Sequence, residues 1–282
     1  MATGTAVQAP VFIEHLTPAQ TYTFTCALGT CQFTTLACAG LIDATTFGVD
    51  QTADATTNAE AFARAIAAVP KGGTLTVPAG LYATYPLFLK PDMTLYLPEG
   101  AQLAAPETRH DWPILSAYDD QDRVLGTWEG QPEPCFAALI TAIDANGLRL
   151  TGRGVIDGGG DRGDWWTWPK ETRDGARRPR TIHLAYSDDV QLSGLTVCNS
   201  PSWTIHPYRC DGLLAAALYI QNPPDSPNTD GLDPESCLDT RLVGLDFSVG
   251  DDCIAVKAGK RGDGENKHLA PTRRLSVSHS RM

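Results

Sequence analysis

Val190-Gln191-Leu192-Ser193-Gly194-Leu195-Thr196-Val197-Cys198-Asn199 is answered 23 residues later by Leu213-Leu214-Ala215-Ala216-Ala217-Leu218-Tyr219-Ile220-Gln221-Asn222. Apolar residues occupy the same slots in both copies: Leu192 and Ala215, Leu195 and Leu218, Val197 and Ile220. A third copy puts Leu242, Leu245 and Phe247 in those slots, 27 residues further on. Leu275-Ser276-Val277 reads as a fourth, at an offset of 30, and Leu148 to Asp157 as an earlier one. Short alternating strands that recur every 20 to 30 residues between polar or Gly-rich turns are the mark of a solenoid of stacked coils. Leucine-rich repeats share the period, but these copies do not keep their fixed Leu and Asn positions. A β-sandwich would space its strands more closely and less regularly. The expectation is an all-β parallel β-helix.

Outward from the repeats, one helical stretch is predicted from about Asn58 to Val69. Its apolar stripe is Ala59, Phe62, Ala63, Ile66 and Val69, with capping candidates at Thr56, Thr57 and Asn58. A solenoid end exposes core and unpaired strand edge, so this helix is expected to cap the first coil. Before it lie short strands at Val11-Phe12-Ile13, Thr21 to Thr25 and Gln32 to Leu36, with His15-Leu16-Thr17-Pro18 between the first two. The Leu16, Pro18, Tyr22, Phe24 spacing resembles the tyrosine-corner end of a fibronectin type III sandwich. Residues 1–40 are therefore expected to form part of such a domain and residues 41–282 the β-helix.

With 282 residues, 42% hydrophobic and 20% charged, the chain can bury a large core. A formal charge of −11 offers no basic field for phosphates, so no nucleic-acid partner is expected. No 18-residue apolar run predicts a membrane span, and Met1 to Pro10 lacks the pattern of a secretory signal, which leaves localisation open. Of eight cysteines, Cys26 and Cys31 flank a short loop where a bridge is conceivable; the others read as small buried hydrophobes.

Two acidic sites stand about one coil apart: Asn228-Thr229-Asp230-Gly231 and, 21 residues beyond Asp230, Gly250-Asp251-Asp252-Cys253. Residues one coil apart stack roughly 4.8 Å from each other, so the three carboxylates should gather on one face. Like-charge repulsion would raise the proton affinity of at least one, the condition a glycosidase needs for a protonated acid beside an ionised base. In a regular strand Asp251 and Asp252 would point to opposite faces; the chain must bend at Gly250 or between Asp252 and Ile254. A single Asp-Gly pair would read as a turn. Two such sites one coil apart favour chemistry.

Asn228 to Cys237 and Phe247 to Lys257 resemble glycoside hydrolase family 28, the polygalacturonases. Supporting matches are Gly72 to Gly80, Pro86 to Lys90, Leu95 to Gly100, Gly152 to Gly158 and Asn199 to Pro207, which together extend the likeness from about residue 42 onward. The resemblance implies a right-handed, pectin-lyase-like parallel β-helix and hydrolysis of α-1,4-galacturonan by an inverting single displacement. It makes Asp251 the general acid, Asp230 and Asp252 the pair that holds and deprotonates water, and Asn228 a residue that orients Asp230 or touches substrate. It calls for no metal or other cofactor. The fibronectin-like start and the Trp203/His206 segment resemble the exo-acting bacterial branch. The Gly-His-Gly and Arg-x-Lys motifs that the family pattern requires further on do not occur; His279 lies between two serines. Both ends are accordingly expected to be cut.

For the substrate's carboxylates, candidate cations are Arg173, Arg177, Arg178 and Arg180, then Arg209, Lys257, Lys260, Arg261 and Lys267. Lys257 shares parity with Asp251 and is favoured. Trp165, Trp166, Trp168 and Trp203 are candidate stacking rings, with Trp203 beside His206 the strongest. The expected partner is a pectic polysaccharide or oligogalacturonide, taken by a monomer. Rival readings are a hydrolase of decorated pectin (rhamnogalacturonan or xylogalacturonan), a calcium-dependent pectate lyase, and a catalytically incomplete carbohydrate-binding β-helix.

Overall fold

The computed structural model describes residues 13, 16–261 and 268–282. Its body is a right-handed parallel β-helix built on three sheets. The longest holds eight strands in the order 276–278, 241–243, 214–216, 191–193, 149–152, 93–97, 73–76 and 41–43. A six-stranded sheet runs from Asp246–Ser248 back to Gly80–Ala83, and a four-stranded one from Ile205–Tyr208 back to Leu87–Leu89. A coil contributes no more than one strand to each sheet, and every pairing between coils within these sheets is parallel. The alternation read from sequence supplies the core: one residue of each pair turns inward and stacks on its equivalent in the next coil. Leu75, Leu95, Leu150, Leu192, Ala215 and Leu242 form one such column, all buried. Ile156, Val197, Ile220 and Phe247 form a second, and Ile140, Ile182, Ile205 and Leu232 a third. Burial of such a side chain stabilises by about 1.5–3 kcal/mol.

The registers correct the last repeat. Leu242 pairs with Val277, an offset of 35 in place of 30, and Leu275 therefore corresponds to Thr240. Periods stay near the low twenties only where a coil carries no excursion. Leu95 pairs with Leu150, and Leu150 with Leu192, because those coils hold the excursions at 105–139 and 158–181. Both excursions enter the four-stranded sheet, and the long loop after Ile254 leaves it. They wall in one outer face of the solenoid, and the site lies there.

The single α-helix among the described residues spans Ala55–Ala68, with Asp54 accepting from Thr57 N–H as N-cap. It starts three residues before the expected boundary, and its buried stripe is Asn58, Ala61, Phe62, Ala65, Ile66 and Val69. Ala63, expected inward, is exposed. The phase differs because Asn58 is an anchor: its side chain accepts from Asp50 N–H and donates to the carbonyls of Asp50 and Ala83, each at 2.9 Å. The helix packs against the terminal strands of all three sheets, Leu41–Asp43, Gly80–Ala83 and Leu87–Leu89. None of the described helices is long and apolar enough to cross a membrane.

Thr21–Cys26 and Gly29–Thr34 pair as an antiparallel hairpin, with Tyr22 stacked on Phe33 and its hydroxyl accepting from Thr17 N–H at 2.7 Å. The strand expected at Val11-Phe12 and His15 lie outside the described residues. Cys26 faces Gly29 and Cys31 faces Phe24, so the two thiols are not cross-strand partners. All eight cysteines are free.

Candidate active site

Asp230 is placed from below. Thr229 is buried, its hydroxyl 2.6 Å from that of Ser226, and it accepts from Gly250 N–H at 3.2 Å, tying its own coil to the next. Arg178, fully enclosed, donates to the carbonyls of Pro201 and Pro227 and to Asn228 Oδ1 at 2.6–2.9 Å. That guanidinium fixes the turn in which Asn228 takes a left-handed φ of 55°. Gly231 N–H then donates to Asp252 O at 2.9 Å, and Leu232 N–H to Cys253 O at 3.1 Å. The two acidic sites are thus neighbours through the backbone itself.

The chain bends at Gly250, Asp251 and Cys253, so both of the alternatives that the parity argument offered are used. A Cβ on Gly250 would lie 2.4 Å from Ser226 O and 2.7 Å from Pro223 O; one on Gly231 would lie 2.5 Å from Cys253 O. Only glycine permits this approach of the coils. The result brings one carboxylate oxygen each of Asp230, Asp251 and Asp252 within 4.8 Å of one another. Asp230 is buried and its two partners are exposed. Asp230 lines an open cleft of about 570 Å³ with Asp251, Asn228, Trp203, Lys257 and the Gly259–Lys260 backbone. Carboxylates so gathered could accept a divalent cation; Lys257 Nζ, 3.7 Å from Asp230 Oδ2, competes for one of the three.

Trp203, Lys257, His206 and Arg180 come together, though not in the roles expected of all four. The Trp203 ring stacks on Trp128 at 5.5 Å and carries the Arg180 guanidinium at 4.5 Å and Lys257 Nζ at 4.2 Å. His206 meets its edge at 5.1 Å. Only Trp203 and Lys257 reach the cleft. His206 is fully enclosed: its Nε2 is 2.9 Å from Glu235 Oε2, and burial drives its pKa well below the usual range. Arg180 is likewise buried and donates to Cys135 Sγ and to Thr127 O. These two support the site from behind, because the excursion carrying Thr127 and Trp128 covers the sheet surface where their parity aims them.

The remaining candidates are spent elsewhere. Arg177 holds Glu133 at 2.5 Å, Arg173 holds Asp164 at 3.1 Å, and Arg209 donates to His268 O at 3.1 Å. Lys260, at the rim, faces Glu129 at 3.6 Å; Arg261 is exposed, and Lys267 lies outside the described residues. Trp165 and Trp168 are buried among Phe136 and the Arg109 guanidinium, and Trp166 donates to Ser200 O. None of the three lines the cleft.

Sequence reasoning passed over Asp233 and Glu235. They alternate with the inward Leu232, so their outward direction was legible. Asp233 is fully buried, 3.1 Å from Lys257 Nζ, and accepts from Ala255 N–H. Burial pushes its pKa well up, with the Asp230 charge adding to that. Glu235 is raised by burial as well, opposed by the Thr127 hydroxyl. Asp230 is raised by burial first; Lys257 opposes this and Asp251 reinforces it.

Residues 125–271 match the model of glycosyl hydrolases family 28. A "Probable polygalacturonase" of Vitis vinifera is 36% identical over 210 residues, which are 72% of this chain and 42% of that protein. An "Endo-polygalacturonase" of Pectobacterium parmentieri is 25% identical over 81% of this chain and 56% of its own length. The chain thus spans about half the length of these relatives. The family 28 exopolygalacturonase of Yersinia enterocolitica superposes over 95% of this chain and 55% of its own with a TM-score of 0.74, at 24% identity, a likeness of fold. The match covers more than half of the chain and contains both acidic sites and Lys257, and on that ground the chain belongs to glycosyl hydrolases family 28.

Proposed function

We propose that the cleft hydrolyses α-1,4-galacturonosidic bonds of pectate or oligogalacturonides, with Asp251 as general acid and Asp230 and Asp252 holding and deprotonating the attacking water. The observation that carries this is the convergence of the three carboxylates, from two adjacent coils, within 4.8 Å of one another, with Asp230 and Asp251 lining the cleft and Asp252 beside them. Their unequal settings support divided roles: Asp230 is buried beside a cation, whereas Asp251 is open to a leaving oxygen. Relatives named as polygalacturonases support the substrate class. Trp203 at the cleft wall suits a sugar ring.

Exo action is favoured by the hairpin Thr127–Pro132. Its tip, Glu129-Gly130, lines the cleft and docks on the far loop: Lys260 N–H donates to Gly130 O at 2.9 Å, and Gln131 Nε2 to Lys260 O at 2.8 Å. A bridge of this kind beside the carboxylates suits a site that takes a chain terminus. Inversion is the mechanism the family resemblance implies, although carboxylates this close are nearer the ~5–5.5 Å typical of retaining enzymes. The third carboxylate favours inversion, since water can be held by two acceptors while a third group donates.

One digest of polygalacturonate tests all of this. Reducing ends without unsaturated sugars, galacturonate monomer as first product, and proton NMR of the inverted anomer at early times are expected. Unsaturated ends would establish lyase chemistry instead. A retained anomer would replace the single displacement by a double one, and internal cuts would remove the exo assignment.

A further inference from the structure

We propose that Lys257 is a positioning residue that marks out the base in the cleft: its ammonium, anchored on Asp233 and laid over Trp203, holds Asp230 ionised beside Asp251, the proposed acid. The inference rests on the hydrolase reading above and concerns how that site is governed.

Lys257 is poorly placed to grip a substrate carboxylate. Its side chain is only 18% exposed, and its Nζ is 3.1 Å from Asp233 Oδ2 and 3.7 Å from Asp230 Oδ2. Backbone register sets this position. Glu235 and Lys257 form a parallel bridge, with Lys257 N–H donating to Pro234 O and Ser236 N–H to Lys257 O. The side chain therefore runs back over the Asp233 coil. Trp203 closes the other side with its ring face 4.2 Å from the ammonium, a contact that favours a cation at one spot.

Burial sets Asp230 apart from the exposed Asp251 and Asp252 and by itself would make it the strongest proton holder of the three. Lys257 acts against that. It forms an ion pair with Asp230, and among the described residues neither Asp251 nor Asp252 forms one. The other charges facing this cluster are the buried Arg178, reached through Asn228, the Asp233 carboxyl itself, and Glu129 with Lys260 across the cleft. Behind Trp203 stand Arg180 and the His206–Glu235 pair. Of the cations among the described residues, Lys257 alone forms an ion pair with a carboxylate of the trio. It also opposes both influences that raise the proton affinity of Asp230, namely burial and the Asp251 charge. An opposite charge at this range lowers a carboxyl pKa by about 1–3 units.

The test is carboxyl-carbon NMR titration of Asp230, assigned by the signal lost in Asp230→Asn, in the wild type, Lys257→Gln and Lys257→Arg. The midpoint is expected to rise by about 1–3 pH units in the glutamine variant and to return towards the wild-type value in the arginine variant. The acidic limb of the pH–rate profile should move upward with it. Lys257→Met gives the same comparison should the glutamine variant not fold. An unchanged midpoint overturns the proposal, and so does an equal rise in the arginine variant, which would report repacking. A wild-type chain that releases no galacturonate sinks the hydrolase reading instead, because the titration judges Lys257 without turnover.

Discussion

Gly250→Ala separates the geometry of the acidic turn from its chemistry, since it adds one methyl group and changes no charge. Gly250 does not lie in the left-handed region, so the argument concerns space alone. The added Cβ would sit 2.4 Å from Ser226 O, 2.7 Å from Pro223 O and 2.7 Å from Ser226 Oγ. A carbon–oxygen contact needs roughly 3.3 Å, so the turn or its neighbour must give by about 0.9 Å. Ser226 cannot yield easily: its N–H donates to Pro223 O, and its hydroxyl is tied to Pro223 O and Thr229 at 2.6 Å. The displacement therefore falls on Asp251 and Asp252. Overpacking of this kind costs about 1–3 kcal/mol, and a misplacement of about 1 Å at a catalytic group costs on the order of 10²-fold in rate. The expected result is a melting temperature several degrees lower, by circular dichroism, with galacturonate release down about a hundredfold at a temperature where the variant is folded. Wild-type kcat in Gly250→Ala would refute the claim that this bend sets the spacing of the carboxylates.

Asp251→Asn removes the proposed acid and is expected to reduce kcat by about 10²–10⁴-fold with the fold intact; the check is reducing-sugar release beside an unchanged spectrum. Leu192→Ala opens a cavity between Leu150 and Ala215 in the longest column of the core and should cost about 2–5 kcal/mol, read from the midpoint of urea unfolding. Burial raises the folded-state pKa of Asp233, so its contribution to stability is complete below the ordinary carboxyl range and is lost as the pH climbs through the folded value. Asp233→Asn lacks that dependence: measured by urea midpoints from pH 4 to 7, the wild type should lose ground to the variant as pH rises. A constant difference between the two would show that Asp233 does not titrate in that window.

The fold was legible because a solenoid writes its period into the chain. Leu192, Ala215 and Leu242 meet in space for the same reason that they recur in sequence: each coil buries its apolar slots against the next. The same logic placed Asp230 near Asp251 and Asp252, and the parity of Ile254 called for a bend at Gly250 or just before Ile254; the chain bends at both. Where coils lengthen, the period fails. The offset to Val277 was misjudged because Lys257 and Arg273, partners of Glu235 and Leu238, lie far apart in sequence; in the helix Phe62, Ile66 and Val69 are buried as expected, and Ala63 was misplaced because the stripe turns towards Asn58, which satisfies backbone groups of Asp50 and Ala83.

The sequence alone determined the class of fold, the coil on which each acid sits and the identity of the three carboxylates, all properties of local alternation and spacing. Only the tertiary structure decided which polar groups meet solvent and which stand behind the site. Arg180 and His206 are aimed outward by parity, yet the excursion carrying Thr127 and Trp128, brought from about 50 to 80 residues upstream, covers them. It likewise decided that Lys257 rests on Asp233, a residue inside the stretch Asn228 to Cys237 that was given no role there. Packing of distant segments assigns burial, and burial sets the charge state of a side chain; neither is written in the spacing of its neighbours.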